Sequence, residues 1–139
     1  MMQAFMLFKE DGTLVYSAQF EKVQLQVDLL AGFVSAVNQF GLEIFPGEDL
    51  EDIIFTKHHI CLEKHKSGSI TLLFMYIHSP DMQHLLLRKI STELFIELKG
   101  KHAAHLQDPV IDQAKFDSLD GVLERILINE RRPERILPR

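Results

Sequence analysis

The sequence predicts an α+β domain: a five-stranded antiparallel sheet of order 2-1-5-4-3, with one helix on one face and two on the other. Three observations carry this. Asp11-Gly12 separates two apolar runs, a strong hairpin signal because glycine accepts the positive φ that such turns require. Residues Ala4 to Phe8 and Ile70 to Ile77 are apolar on both faces, which places both runs centrally in a sheet covered on each side. Three further stretches carry apolar residues at helical spacing, enough to supply that cover.

In chain order, the first strand spans Gln3 to Phe8 and the second Thr13 to Phe20, with Leu14, Tyr16, Ala18 and Phe20 opposing Ser17 and Gln19. A helix from about Val27 to Phe45 follows and ends at Pro46-Gly47, which cannot continue it. Three strands come next: Asp52 to Thr56, His59 to Lys64 and Ser69 to His78, the last two joined through Lys66-Ser67-Gly68. Ser79-Pro80-Asp81 then opens a second helix, with Ser79 as the cap, that carries Leu87, Ile90, Leu94 and Leu98 on one face. A third helix, about Asp112 to Asn129, has the stripe Phe116, Leu119, Val122, Leu123, Ile126 and Leu127, with Pro133 as its stop. The order is ββαβββαα, read as one domain over residues 1–129 and an Arg-rich tail over 130–139.

Composition bounds the function. With 15 basic and 20 acidic residues the net charge is −5, which argues against nucleic acid as a partner. A hydrophobic content of 46% in 139 residues is sufficient for a core without a metal or disulfide staple. The single cysteine, Cys61, has no partner within the chain, which fits a reducing compartment. No apolar run approaches the roughly 20 residues that span a bilayer, and the N-terminus lacks a leader's basic start and cleavage site. We therefore expect a cytoplasmic protein, at most peripherally associated with membranes.

The element order and its landmarks resemble the longin family of profilin-like domains. The residues that carry the resemblance are Phe5-Met6-Leu7-Phe8 leading into Asp11-Gly12-x-Leu14-Val15-Tyr16-Ser17, and the helix segment Leu29-Leu30-Ala31-Gly32-Phe33-Val34. The three-strand meander and the closing Phe116-Asp117-x-Leu119-Asp120-x-Val122-Leu123-x-x-Ile126-Leu127 complete it. Relatives include adaptor sigma subunits, sedlin-type tethering subunits and the N-terminal domain of the signal-recognition-particle receptor alpha chain; roadblock domains are cousins. The resemblance implies a non-enzymatic module that pairs with a second copy or a longin or roadblock paralogue and forms a platform for small GTPases or trafficking machinery. Fold alone does not fix function.

The first helix points to an interaction role independently. At 100° per residue its apolar positions span an arc of about 180°, whereas covering a sheet needs only about 100°. The surplus edge is Leu29, Phe33, Ala36 and Phe40, spaced 4, 3 and 4. Tyr16, Phe20 or the loop Lys22 to Gln26 would cover that edge in one reading, and a partner would cover it in the other. In the predicted order the third strand is an edge, so Ile54 and Thr56 join the candidate interface, with Glu48, Asp49, Glu51 and Asp52 as gatekeepers. Arg131, Arg132 and Arg135 in the tail form a candidate second contact for an acidic partner.

Reactive chemistry is sparse. The seven histidines lack zinc spacing: His58 and His59 alternate across a strand, and His102-x-x-His105 with Asp108 lies in a connection. Cys61 sits mid-strand as a small core residue, and no nucleophile elbow, phosphate loop or dinucleotide fingerprint is present. Lys57-His58-His59 and Lys64-His65-Lys66 are expected to make one hairpin end basic. We expect no enzyme activity, cofactor or metal. The alternatives are a roadblock-type GTPase regulator, or a sensor holding a small molecule between sheet and helix. The sensor would need a cavity that Phe33, Phe74, Phe95 and Phe116 are expected to fill.

Overall fold

A computed structural model describes the backbone of residues 2–20 and 26–136, with side chains placed except at Val27 and residues 128–136. The chain forms two compact units, residues 1–82 and 83–139. The first holds strands β1 (Met2–Lys9) and β2 (Leu14–Gln19), helix α1 (Val27–Ile44), and strands β3 (Asp52–Ile54), β4 (His59–Ser67) and β5 (Ile70–His78). The sheet is antiparallel throughout, in the predicted order β2-β1-β5-β4-β3. The β1–β2 turn closes with Lys9 N–H donating to Thr13 O (2.9 Å) and Gly12 N–H to Lys9 O (3.0 Å). Gly12 sits at φ +92°, which a side-chain-bearing residue would strain to adopt.

Strand alternation sorts the sheet into two apolar faces. One carries Ala4, Met6, Phe8, Ile60, Leu62, Met75 and Ile77; Val34 of α1 is buried on it, with Leu30, Ala31, Leu50 and Ile53 packed around. The other carries Phe5, Leu7, Tyr16, Leu72, Phe74 and Tyr76, all buried. There the ring of Phe5 meets Tyr16, Phe74 and Tyr76 at centroid distances of 6.1, 5.7 and 5.1 Å.

The second unit holds α2 (His84–Lys101), α3 (Ala103–Leu106), a 3₁₀ turn (Gln113–Phe116) and α4 (Ser118–Ile136). Helices α2 and α4 pack together, and Leu87, Ile90, Leu94 and Leu98 on one and Leu119, Val122, Leu123 and Ile126 on the other are buried. Arg125 on α4 reaches Glu93 on α2 at 3.4 Å.

Several expectations are corrected. Helix α2 begins at His84, because the Ser79 hydroxyl donates to Asp81 and the Ser79 carbonyl accepts from Met82 N–H, closing a turn there. The single third helix is instead a 3₁₀ turn, capped where the Asp112 carboxylate accepts from Ala114 N–H at 3.1 Å, and α4, the two divided at Asp117, whose N–H donates to Ala114 O at 3.3 Å. A short helix, α3, stands where a plain connection was expected. The backbone of α4 runs through Pro133 to Ile136. Proline removes one donor there, while the Glu and Arg residues flanking it are good helix formers. Strand β3 ends at Ile54 because Phe55 N–H donates to His58 O (2.8 Å), turning the chain into β4. Of the four phenylalanines expected to fill the core, Phe74 and Phe116 are buried; Phe95 is half-buried beneath Lys99, and Phe33 is exposed.

Candidate protein interface

Helix α1 meets its sheet face through Leu30, Ala31 and Val34; the half-buried Val37 and Gly41 fall on the same side of the helix as Leu30 and Val34 at 100° per residue. A second apolar row runs beside that contact, its members roughly 50–130° around the helix from the contact's centre. It comprises Leu29, Phe33, Ala36, Phe40 and Ile44. All five are exposed, Leu29 by 69%, Phe40 by 64% and Phe33 by 45%. The row is about 22 Å long, at 1.5 Å per residue from Leu29 to Ile44. Tyr16 does not cover it: in the β1–β2 register Tyr16 opposes Leu7, on the sheet face away from α1. Phe20 lies just beyond β2, and the loop segment 21–25 lies outside the described residues.

Ile44 and Phe45, 50% and 58% exposed, extend the row beyond the four residues that the sequence nominated. The signal for Ile44 was available, because it continues the 4, 3, 4 spacing by another step of 4.

Along the chain segment that carries this row the charges have one sign. Residues 26–56 contain six carboxylates, Asp28, Glu43, Glu48, Asp49, Glu51 and Asp52, and no Lys, Arg or His. Among the described residues only Asp49 meets a cation, Lys64 Nζ at 2.5 Å. Asp28 suits the positive end of the α1 dipole, but the last turn has no basic residue, and Glu43 lies there instead. Glu48 is held close by, its N–H donating to Phe45 O at 3.1 Å.

The edge-strand residues belong to a different place. Ile53 packs on the α1 side, so Ile54 projects from the opposite face, where it is 69% exposed. Thr56 is exposed but sits in the bend after β3, not on the strand. The bonds Phe55 N–H to His58 O and Leu62 N–H to Glu51 O turn residues 51, 53 and 55 toward β4. Only Asp52 and Ile54 therefore offer backbone groups at the outer edge. The structure assembles Leu29, Phe33, Ala36 and Phe40 and leaves Ile54 and Thr56 out of that row. The side chains of Arg131, Arg132 and Arg135 lie outside those described.

The expected basic hairpin end is not formed. His59 and Lys66 stand seven residues apart in β4, about 23 Å along a strand. Lys64 bonds Asp49, and His65 Nε2 lies 3.0 Å from Glu63.

Among the described residues no group of three or more His, Cys, Asp or Glu is placed to hold a metal ion. Burial and the carboxylates of Asp52 and Glu63 push the Cys61 thiol up to about 12. Since the thiolate is the reactive form, iodoacetamide at pH 8 should label Cys61 on the order of 100-fold more slowly in the folded chain than in urea. Equal rates would show an open thiol.

In the second unit His102 is buried, its Nε2 is 2.6 Å from Ser118 Oγ, and its ring is 5.0 Å from that of Phe116. The Ser118 hydroxyl also favours the ionised form of Glu97, holding that carboxyl below its ordinary value. Nδ1 of His102 is buried with no hydrogen-bond partner among the described residues. Burial, and then the neighbouring His105, hold the His102 imidazole below its ordinary 6.5. The folded value lies below the unfolded one. The stabilising contribution is therefore complete above about pH 6.5 and is lost as pH falls from there through the folded value. Urea unfolding at pH 7.5 and 5.5 should show this decline, and His102→Gln should reduce it.

No helix among the described residues is long and apolar enough to cross a membrane. No protein-family model matches the chain, and no curated protein matches it. Among solved structures, one similar chain belongs to "Homology model of the full-length AP-3 complex in a stretched open conformation". It is 12% identical, covers 94% of this chain and 98% of that chain, and has a TM-score of 0.45. At that level the likeness says nothing about function.

Proposed function

We propose that this chain is a non-enzymatic, longin-like protein-interaction module that docks a protein partner on α1 and serves small-GTPase or membrane-traffic machinery. The observation that carries the docking role is the exposed row Leu29, Phe33, Ala36, Phe40 and Ile44, beside the residues that already bind α1 to its sheet. Large apolar side chains aligned along one helix lose solvent contact only when a second surface covers them. The GTPase and traffic setting rests on the resemblance of the sequence to longin domains. In this reading residues 1–129 are the working domain, and Arg131, Arg132 and Arg135 in segment 130–139 add a second contact to an acidic partner. The module is cytoplasmic and reaches membranes only through its partners. Its pairing is with a different protein, such as a longin or roadblock paralogue, or with a second copy.

The test is a panel of the host's small GTPases, each loaded with GDP or a GTP analogue, titrated against the purified chain and against its Leu29→Ser/Phe40→Ser variant. The reading expects at least one GTPase to bind the chain in a nucleotide-dependent way and to lose affinity for the variant. Binding to none would remove the GTPase role. Binding unchanged by the double substitution would remove α1 as the docking surface.

A further inference from the structure

Resting on the docking reading above, we propose that the occupant of the α1 row is a basic amphipathic helix of another protein, not a second copy of this chain. Shape argues for a helix. The row steps by 4, 3, 4 and 4 residues, forming a ridge along α1 against which the side chains of a crossing helix pack. An added strand is the poorer candidate, because the outer edge of β3 offers the backbone groups of only Asp52 and Ile54.

Charge selects the partner's rim. Glu43 follows Ala36 around the helix by about 20°, so it borders the row directly. Asp28 adjoins Leu29 at one end of the row, and Glu48 is tied to Phe45 at the other. None of these three meets a cation among the described residues, and no basic residue occurs anywhere in residues 26–56. The negative end of the α1 dipole and Glu43 lie together, an arrangement that a cation from outside relieves. A second copy would bring the same carboxylates against these ones, a like-charge pairing that complementary interfaces avoid. A helix with an apolar stripe flanked by Lys or Arg matches both features.

Two synthetic helical peptides with the same leucine stripe, one flanked by Lys and the other by Glu, test this against the full chain. Affinities are measured at 50 and 300 mM NaCl, alongside sedimentation of the chain alone. The expected result is at least tenfold tighter binding of the Lys peptide, with the preference shrinking at the higher salt. Phe33→Ser/Phe40→Ser should weaken the Lys peptide at least tenfold. Glu43→Lys/Glu48→Lys should reduce the preference while preserving the helical circular dichroism, because a cation suits the end of a helix. Equal binding of both peptides, lost in the phenylalanine variant, would overturn the basic partner and leave the docking surface standing. Self-association of the chain alone, abolished by the phenylalanine variant, would identify a second copy and overturn the inference in the same way. Lys-peptide binding indifferent to Phe33 and Phe40 would mean attraction to the acidic body in general, and would overturn it. Binding of neither peptide, without self-association, would overturn both the inference and the docking surface.

Discussion

Phe5→Ala is expected to destabilise the sheet unit by roughly 3–5 kcal/mol, the range for truncating a buried aromatic ring. Phe5 is fully buried, and its ring meets three others, Tyr16, Phe74 and Tyr76, within 6.1 Å. It stands in β1, paired to β2 on one side and β5 on the other, so the cavity opens between neighbours fixed by two ladders. Little collapse is available to fill it. Because native stability is itself only about 5–15 kcal/mol, much of the population should be unfolded in modest urea. Urea titration followed by circular dichroism measures the loss. A change below 1 kcal/mol would mean that the aromatic cluster is not a packing centre.

Leu29→Ser with Phe40→Ser should give the opposite pattern. Both residues are about two-thirds exposed, so the free energy of unfolding should fall by less than about 1 kcal/mol, mostly from helix propensity. Affinity for the partner should fall far more, on the order of 100-fold or beyond, since buried anchors of this type are worth about 2 kcal/mol each at an interface. A core residue loses stability when truncated, whereas an interface residue loses binding. The two variants, Phe5→Ala and Leu29→Ser/Phe40→Ser, therefore separate the roles of apolar residues that composition alone counts together.

Which roles were legible in the sequence follows from local physics. The central strands were legible because β1 and β5 are apolar on both faces, a pattern that only a doubly covered strand tolerates. The first turn was legible through Asp11-Gly12, where Gly12 takes φ +92°. The surplus row on α1 was legible because its apolar arc exceeded what a sheet contact needs. Its full extent was not: Ile44 lies between the two rows on the helical wheel, and Phe33 was assigned to both core and interface. Only packing decides, and it leaves both exposed.

Ile53-Ile54 shows a second limit. Two identical side chains in succession give no alternation, so nothing local says which one faces α1. Leu50 and Ile53 packing beside α1 fixes the parity and turns Ile54 away. Ser79-Pro80 is a sound start signal for a helix, but Ser79 bonds Asp81 and the chain makes a turn before α2 begins. The basic hairpin end failed on length, because β4 runs to Ser67 and separates His59 from Lys66.

The central claim is that the α1 row receives a protein. A photo-crosslinking amino acid at Phe40 tests it directly, with the same group at Ser35, which is exposed about 140° away around the helix, as control. Irradiation in the host's extract, with adducts sequenced by mass spectrometry, should yield one protein species from Phe40, joined through a segment with apolar positions flanked by Lys or Arg, and none from Ser35. No adduct from Phe40, or the same adducts from both positions, would contradict the claim.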